Sequence, residues 1–269
     1  MASELIERKL YNETVEIIHN PNARGRAPRY LVDGTKKPKG VTTIMGQTLA
    51  KDLIGWAVGM AQDYLRERLP VITEDDIVES GKAYMRRRDA GADTGSEAHA
   101  LVEDFLKGKQ VDLSESSPEA TKAYQAYRKW HEEQADIEVI GVEEVIYSRE
   151  LEFAGTYDAM LGINGKTCLA DLKTTNVSRK APKGVYAEYF IQLGGYALAH
   201  NEQRAYEGDK TKLPKLDDLV VISAKKNGKL DVVYASDLGL SVDDCVALFR
   251  AVQSIYTFLT SKTALLGGK

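Results

Sequence analysis

Gly155-Thr-Tyr-Asp158-Ala-Met-Leu-Gly-Ile-Asn164-Gly165-Lys-Thr-Cys-Leu-Ala-Asp171-Leu-Lys173 is the stretch that decides the reading of this chain. Asn-Gly between two strand-like runs signals a two-residue type I′ hairpin, because that turn needs positive φ at both central positions. With Asn164 and Gly165 as the turn, Ile163 faces Lys166 and, by the same count, Asp158 faces Asp171. Directly opposed side chains on one face have Cβ atoms roughly 4.5–5.5 Å apart, and like charges there destabilise a sheet. The flanks, Ala159-Met-Leu161 and Cys168-Leu-Ala170, are apolar. The two acids therefore call for a protonated partner or a bridging cation. A hard divalent ion with oxygen ligands fits best, Mg²⁺ being the usual one and Mn²⁺ able to substitute. Lys173 lies two residues beyond Asp171 and so shares its face. There it could orient a metal-bound water, accept its proton if the lysine pKa is depressed, or stabilise charge on a phosphate. The competing reading is an ordinary charged surface cluster.

Outward from this hairpin, strand-like and helical patterns alternate. Thr14–His19 and Arg29–Val32 read as strands of a hairpin with a long loop. Thr43 to about Arg68 is helical in pattern, as is Glu74–Arg88. Thr94-Gly-Ser-Glu97 has the capping-box spacing, with Thr94 as N-cap of a helix through His99 that stops near Gly108. Pro118 opens another helix to about Gln134. Val139–Tyr147 reads as a strand; of its adjacent acids Glu143 and Glu144, one faces the sheet surface, and parity does not say which. Ala187 to about Ala205 is a helix on which Gln192 and Tyr196 share a face, with Tyr189 beside them. Leu219–Ala224 and Lys229–Ala235 form a strand pair turning at Asn227-Gly228, and a last helix covers Ser241–Thr260. Strands framed by helices predict an α/β (α+β) fold with one central mixed sheet flanked by helices. No composition break divides the 269 residues, which are expected to form one domain. Within it, 1–92 is a hairpin and helical entry region, 93–235 the core and 236–269 a C-terminal helix.

Composition narrows the function. The chain is 43% hydrophobic and 28% charged, enough for a sizeable core. No run of 18 apolar residues exists and no secretory leader is apparent, so no membrane association and a cytoplasmic setting are expected. The two cysteines, Cys168 and Cys245, exclude a disulfide scaffold, a CxxC zinc site and a four-cysteine iron–sulfur cluster. Lys plus Arg number 36 against 40 Asp plus Glu, a net charge of −4. Any phosphate-binding surface must therefore be local. Candidates are Arg86-Arg-Arg88, Lys225-Lys226 with Lys229, and, preferred because it follows the strand carrying Asp171 and Lys173, Arg179-Lys180 with Lys183. Trp56, Tyr84, Tyr186 and Tyr189 are large aromatics that become candidate base-stacking groups under the nucleic-acid role implied by the resemblance given next.

Taken in order, Thr94-Gly-Ser-Glu-Ala-His99, Gly155-Thr-Tyr-Asp158, Asp171-Leu-Lys-Thr174 and Gln192-Leu-Gly-Gly-Tyr196 resemble the motif set of the PD-(D/E)XK nuclease superfamily, in its RecB-type exonuclease branch. Gly40-Val-Thr-Thr-Ile44 with Lys51 and Trp56 is similar to the entry segment of phage and mitochondrial exonucleases of that branch. The resemblance implies a restriction-endonuclease-like core with a helical N-terminal region. It implies His99, Asp158 and Asp171 as metal ligands, joined by the Leu172 carbonyl, and Lys173 as the catalytic lysine. Gln192 and Tyr196 would border the site and help place nucleic acid. The expected activity is metal-dependent exonucleolytic hydrolysis of DNA in recombination, repair or replication, acting at a free end. A recombination or single-strand-binding protein is a conceivable partner. A structure-specific endonuclease and a non-catalytic DNA-binding subunit are the alternatives. Some RecB-type relatives hold an iron–sulfur cluster; with two cysteines, none is expected here.

Overall fold

The computed structural model describes residues 5–23, 27–49, 54–175, 182–208 and 213–262. Its centre is the hairpin of strands β6 (Phe153–Ile163) and β7 (Lys166–Thr175). Pairing runs antiparallel from Ile163↔Lys166 to Ala159↔Ala170, the register expected from the turn. Asn164 (φ 51°) and Gly165 (φ 74°) both take the left-handed conformation that a type I′ turn requires.

The other strands are β4 (Lys39–Gly40), β5 (Ile137–Ser148), β8 (Asp218–Lys225) and β9 (Leu230–Tyr234). The sheet is mixed, ordered β4-β6-β7-β8-β9, with β5 also paired to β6. β5 runs antiparallel along β6 from end to end. β7 pairs with β6 only as far as Ala159, then continues parallel to β8 through Thr175. β4 pairs with β6 at Phe153–Ala154. A strand has two edges and β5 holds one of them, so the other is left without a strand between Ala154 and Ala159. This notch in the sheet is where the site forms.

Two helical layers cover the sheet. On one face α6 (Ala187–Tyr206) and α7 (Val242–Lys262) bury Phe190, Leu193 and Phe249 against Phe153, Met160, Leu169 and Val221. α6 and α7 approach closely at Gly194, where a Cβ would run into the Cys245 carbonyl. On the other face α4 (Ala83–Leu106) and α5 (Pro118–Glu132) pack Leu101, Ala123 and Tyr127 against Leu161, Ala170 and Ile222. Burying one such large apolar side chain stabilises by about 1.5–3 kcal/mol. No helix among the described residues is long and apolar enough to cross a membrane.

A second, three-stranded sheet of β1 (Ile6–Leu10), β2 (Val15–His19) and β3 (Tyr30–Val32) packs on β5 and β6 through Val145, Tyr147 and Ala154. The Tyr11 hydroxyl donates to the Tyr147 carbonyl at 2.7 Å. The expected pairing of β2 with β3 is present, and β1 adds a strand that the sequence reading did not contain.

Three expectations are corrected in the helical entry. The pattern from Thr43 to Arg68 contains two helices, α1 (Val41–Thr48) and α2 (Ile54–Arg66); Lys51 lies outside the described residues. Glu74–Arg88 likewise divides, into α3 (Glu74–Ser80), capped reciprocally by Thr73 and Asp76, and the start of α4. Thr94 is not an N-cap. No proline interrupts the run before it, so α4 continues through, crossing the expected 92/93 boundary, and Thr94 Oγ1 donates to the Ala90 carbonyl at 3.0 Å. Glu97 caps a different helix: it accepts from the Ser117 backbone and hydroxyl at the N-terminus of α5.

Candidate active site

The notch opens into a cleft of about 540 Å³ between α4, the edge of β6 and the end of the N-terminal sheet. His99, Asp158, Asp171, Lys173, Gln192 and Tyr196 all line it. α4 brings His99 Nδ1 to 3.7 Å from Asp158 Oδ2. Where β7 leaves β6, the Asp158 carboxylate fills the gap: its Oδ2 accepts from the Leu172 backbone N–H at 2.7 Å. A carboxylate thus stands in for the next ladder bond. In a strand the N–H and C=O of one residue point to the same edge, so the Leu172 carbonyl is also turned toward the notch.

Asp171 is 1% exposed. Lys173 Nζ donates to its Oδ1 at 2.9 Å, and Gln192 Nε2 donates to the same oxygen at 3.2 Å. Oδ2 lies 2.7 Å from the lysine ammonium but accepts no hydrogen bond. Burial pushes the Asp171 carboxyl up, Lys173 opposes that, and Asp158 adds to it. For Lys173 burial alone would lower the pKa. The charges of Asp171 and Asp158 outweigh it, and the ammonium is held above its ordinary value. In the metal-free site these charges favour the ammonium form, a donor to water or phosphate.

Gln192 Nε2 also donates to the Tyr196 hydroxyl at 2.9 Å, and Tyr196 is only 4% exposed. The pair braces Asp171 from the α6 side. Gly155 makes room for it, since a Cβ there would lie 2.7 Å from the Tyr196 ring. Tyr189 lies under the Lys173 ammonium, 4.9 Å from ring centroid to Nζ.

Parity left Glu143 and Glu144 open, and the structure separates them. Val142 faces Ala159 and Glu144 faces Tyr157, which puts Glu143 across from Asp158. Glu144 pairs with Arg8. Glu143 has φ 53°, an uncommon conformation for a non-glycine residue, and its side chain lines the cleft. Burial pushes its carboxyl up to about 8, with Asp158 and Glu103 adding to the rise. Glu103, one turn after His99, lines the same cleft. The sequence carried a partial signal for Glu143, an acid in an apolar strand; its irregular backbone had none.

The basic runs are placed unevenly. Arg179 and Lys180 lie outside the described residues, and Lys183 is exposed on the turn before α6. Lys225 is unavailable to a phosphate: it is buried, ion-paired to Asp231 and bonded to the Pro182 carbonyl. Arg86 pairs with Glu79, and Arg88 with Asp89. Arg87, Lys226 and Trp56 line a second cavity, away from the carboxylates. Trp56 meets Tyr84 edge-on, as Tyr186 meets Tyr189.

Among the described residues no three His, Cys, Asp or Glu side chains close into a ready-made metal cage. The donor set nevertheless fits a hard divalent cation. The buried Asp171 carboxylate is paired with the Lys173 ammonium and Gln192; Asp158 and His99 stand beside it, and a backbone carbonyl faces the same notch. Mg²⁺ is commonly held by one or two carboxylates with water filling the other positions.

Residues 113–254, more than half of the chain, match the profile of a family described as the PD-(D/E)XK nuclease superfamily. The matched span takes in Asp158, Asp171, Lys173, Gln192 and Tyr196, while His99 precedes it. Among solved structures, a candidate exonuclease from Eubacterium rectale is similar with 12% identity and a TM-score of 0.39, over 82% of this chain and 80% of that one. No curated protein sequence matches the chain.

Proposed function

Because the chain belongs to the PD-(D/E)XK nuclease superfamily, we propose that it is a Mg²⁺-dependent deoxyribonuclease of the RecB-type branch, acting exonucleolytically at free DNA ends in recombination, repair or replication. Nucleases of this superfamily generally use divalent metal ions. The observation that carries the reading is the broken ladder. Asp158 replaces a backbone bond beside the buried Asp171 carboxylate, which the Lys173 ammonium neutralises.

Asp158 and Asp171 hold the cation, with the Leu172 carbonyl and His99 completing the protein's share. The ion, when bound, polarises the scissile phosphate, lowers the pKa of a water and neutralises the leaving oxygen. Lys173 enters as an ammonium. It donates to a phosphate oxygen or holds the attacking water in line, where charge develops. Gln192, bonded to both Asp171 and Tyr196, fixes the carboxylate's orientation. Thr156, on the open edge of β6, lines the cleft where the substrate backbone would pass.

End-labelled linear DNA and covalently closed circular DNA, each with Mg²⁺ or EDTA, test the assignment. Release of labelled nucleotides from linear DNA only, and only with Mg²⁺, is expected. Cleavage of the circle would assign an endonuclease instead, and no Mg²⁺-dependent cleavage of either would overturn the reading.

A further inference from the structure

The cleft has a wall that the catalytic residues do not use. β2 turns Val15, Ile17 and His19 inward, and this buried row ends in His19 at the cleft. His19 is 6% exposed, and its Nδ1 is buried without a hydrogen-bond partner. Its ring stacks on Tyr30 of the neighbouring strand, centroids 4.9 Å apart and planes 16° from parallel. Tyr30 is fixed in turn by its hydroxyl, 3.3 Å from Thr156 Oγ1 on the open edge of β6. Next to this stack, exposed Arg29 donates to the Pro21 carbonyl at 3.1 Å and pairs with no carboxylate among the described residues.

The charge balance of the cleft gives this wall its meaning. Among the described residues Asp158, Asp171, Glu103 and Glu143 line it, against two cationic side chains, Lys173 and Arg29. Lys173 sits at the centre of the site, paired with Asp171. A polyanion entering a protein of net charge −4 needs local positive charge. Among the described residues Arg29 is the cleft's exposed cation that pairs with no carboxylate, and the His19–Tyr30 stack holds the strand end beside it.

We propose that the end of the N-terminal sheet is a phosphate-binding arm of the cleft: the Arg29 guanidinium, on the strand end that the His19–Tyr30 stack holds in place, grips a DNA backbone phosphate flanking the one that is cut. The proposal rests on the deoxyribonuclease reading and adds a subsite to it. His19 supports the arm as a neutral imidazole, since burial and then Arg29 push its pKa down to about 4. It contributes packing without charge, and Arg29 contributes the charge.

The test is fluorescence anisotropy of a labelled oligonucleotide across a salt series, in Ca²⁺ and in EDTA, together with kcat and KM in Mg²⁺. Arg29→Ala should weaken binding about tenfold and flatten the slope of log K against log salt by roughly 0.7 for single-stranded or 0.9 for duplex DNA. Arg29→Lys should keep the slope. His19→Ala should weaken binding and leave the slope unchanged. All three should retain kcat, with the loss in KM. An oligonucleotide series with one neutral methylphosphonate at each position should contain one position that weakens the native protein and not Arg29→Ala. Thermal melting identifies any variant that has merely misfolded, and the methylphosphonate series on the native protein then decides: no sensitive position flanking the cut overturns the proposal. So do an unchanged slope and KM in Arg29→Ala when the native protein cleaves. A native protein that neither binds nor cleaves DNA overturns the nuclease reading itself.

Discussion

The two ends of the β6–β7 hairpin obey different rules. At the closed end every pair from Ile163↔Lys166 to Ala159↔Ala170 is made by backbone, and the turn residues match their φ angles. At the open end the ladder stops one pair before the acids, and the Asp158 side chain takes the place of a backbone acceptor. Regular pairing satisfies polar groups locally and leaves nothing over. The interrupted end leaves a buried carboxylate held by a lysine ammonium, with Asp158, Glu103 and Glu143 facing the same space. Stability is concentrated at one end and reactivity at the other, about one strand-length apart.

The contrast can be broken most severely at the open end. Asp171→Ala or Lys173→Ala should lower the Mg²⁺-dependent cleavage rate at least about 10³-fold, equivalent to roughly 4 kcal/mol of barrier. Circular dichroism should show the fold retained. Either purified variant cleaving at a near-native rate would remove these residues from the chemistry.

Next in size is Gly155→Ala. Its Cβ would press on the Tyr196 ring, which Gln192 ties to Asp171. Overpacking of this kind costs about 1–3 kcal/mol. The melting temperature should fall and activity should fall with it. An unchanged melt would mean that α6 shifts freely away from the sheet.

A smaller, pH-dependent effect belongs to Glu143. Its folded pKa, about 8, lies above the ordinary 4.5, so between those values the unfolded chain has lost a proton that the metal-free folded protein keeps. Stability that is present below about pH 4.5 is therefore lost progressively as the pH rises toward 8. In EDTA, Glu143→Gln should be more stable than the native protein by roughly 1–2 kcal/mol at pH 8 and equal to it near pH 4. Denaturant melts at the two pH values check this; a variant equally offset at both would mean that the side chain acts through packing alone.

The least effect is expected at the closed end. Gly165→Ala places a Cβ at φ 74° and should cost about 1 kcal/mol in a thermal melt while leaving cleavage unchanged. A loss of activity here would show that the two ends are coupled.

The same contrast explains what could be read from the sequence. The turn register, the mixed sheet and the helices of the core follow from local signals: Asn164-Gly165, Pro118 and the apolar runs of β7 and β8. Asp158, Asp171 and Lys173 could be brought together because a hairpin fixes its own pairing by counting. What counting missed is where pairing stops. Glu143 enters the cleft from a positive-φ backbone conformation that strand alternation does not encode. Thr94 and Glu97 satisfied a capping pattern but were overruled by a helix that had already begun at Ala83. Thr94 found a carbonyl within its own helix, and Glu97 found the next one. The His19–Tyr30 stack depends on strand pairing across a loop, which no short-range signal specifies.

The central claim is that the open end of the hairpin holds a divalent cation. Calorimetric titration of Mg²⁺ into the native protein and into Asp158→Asn, at matched pH and salt, tests it most directly. Saturable binding by the native protein that disappears in Asp158→Asn is the predicted result. Indistinguishable isotherms for the two proteins would contradict it.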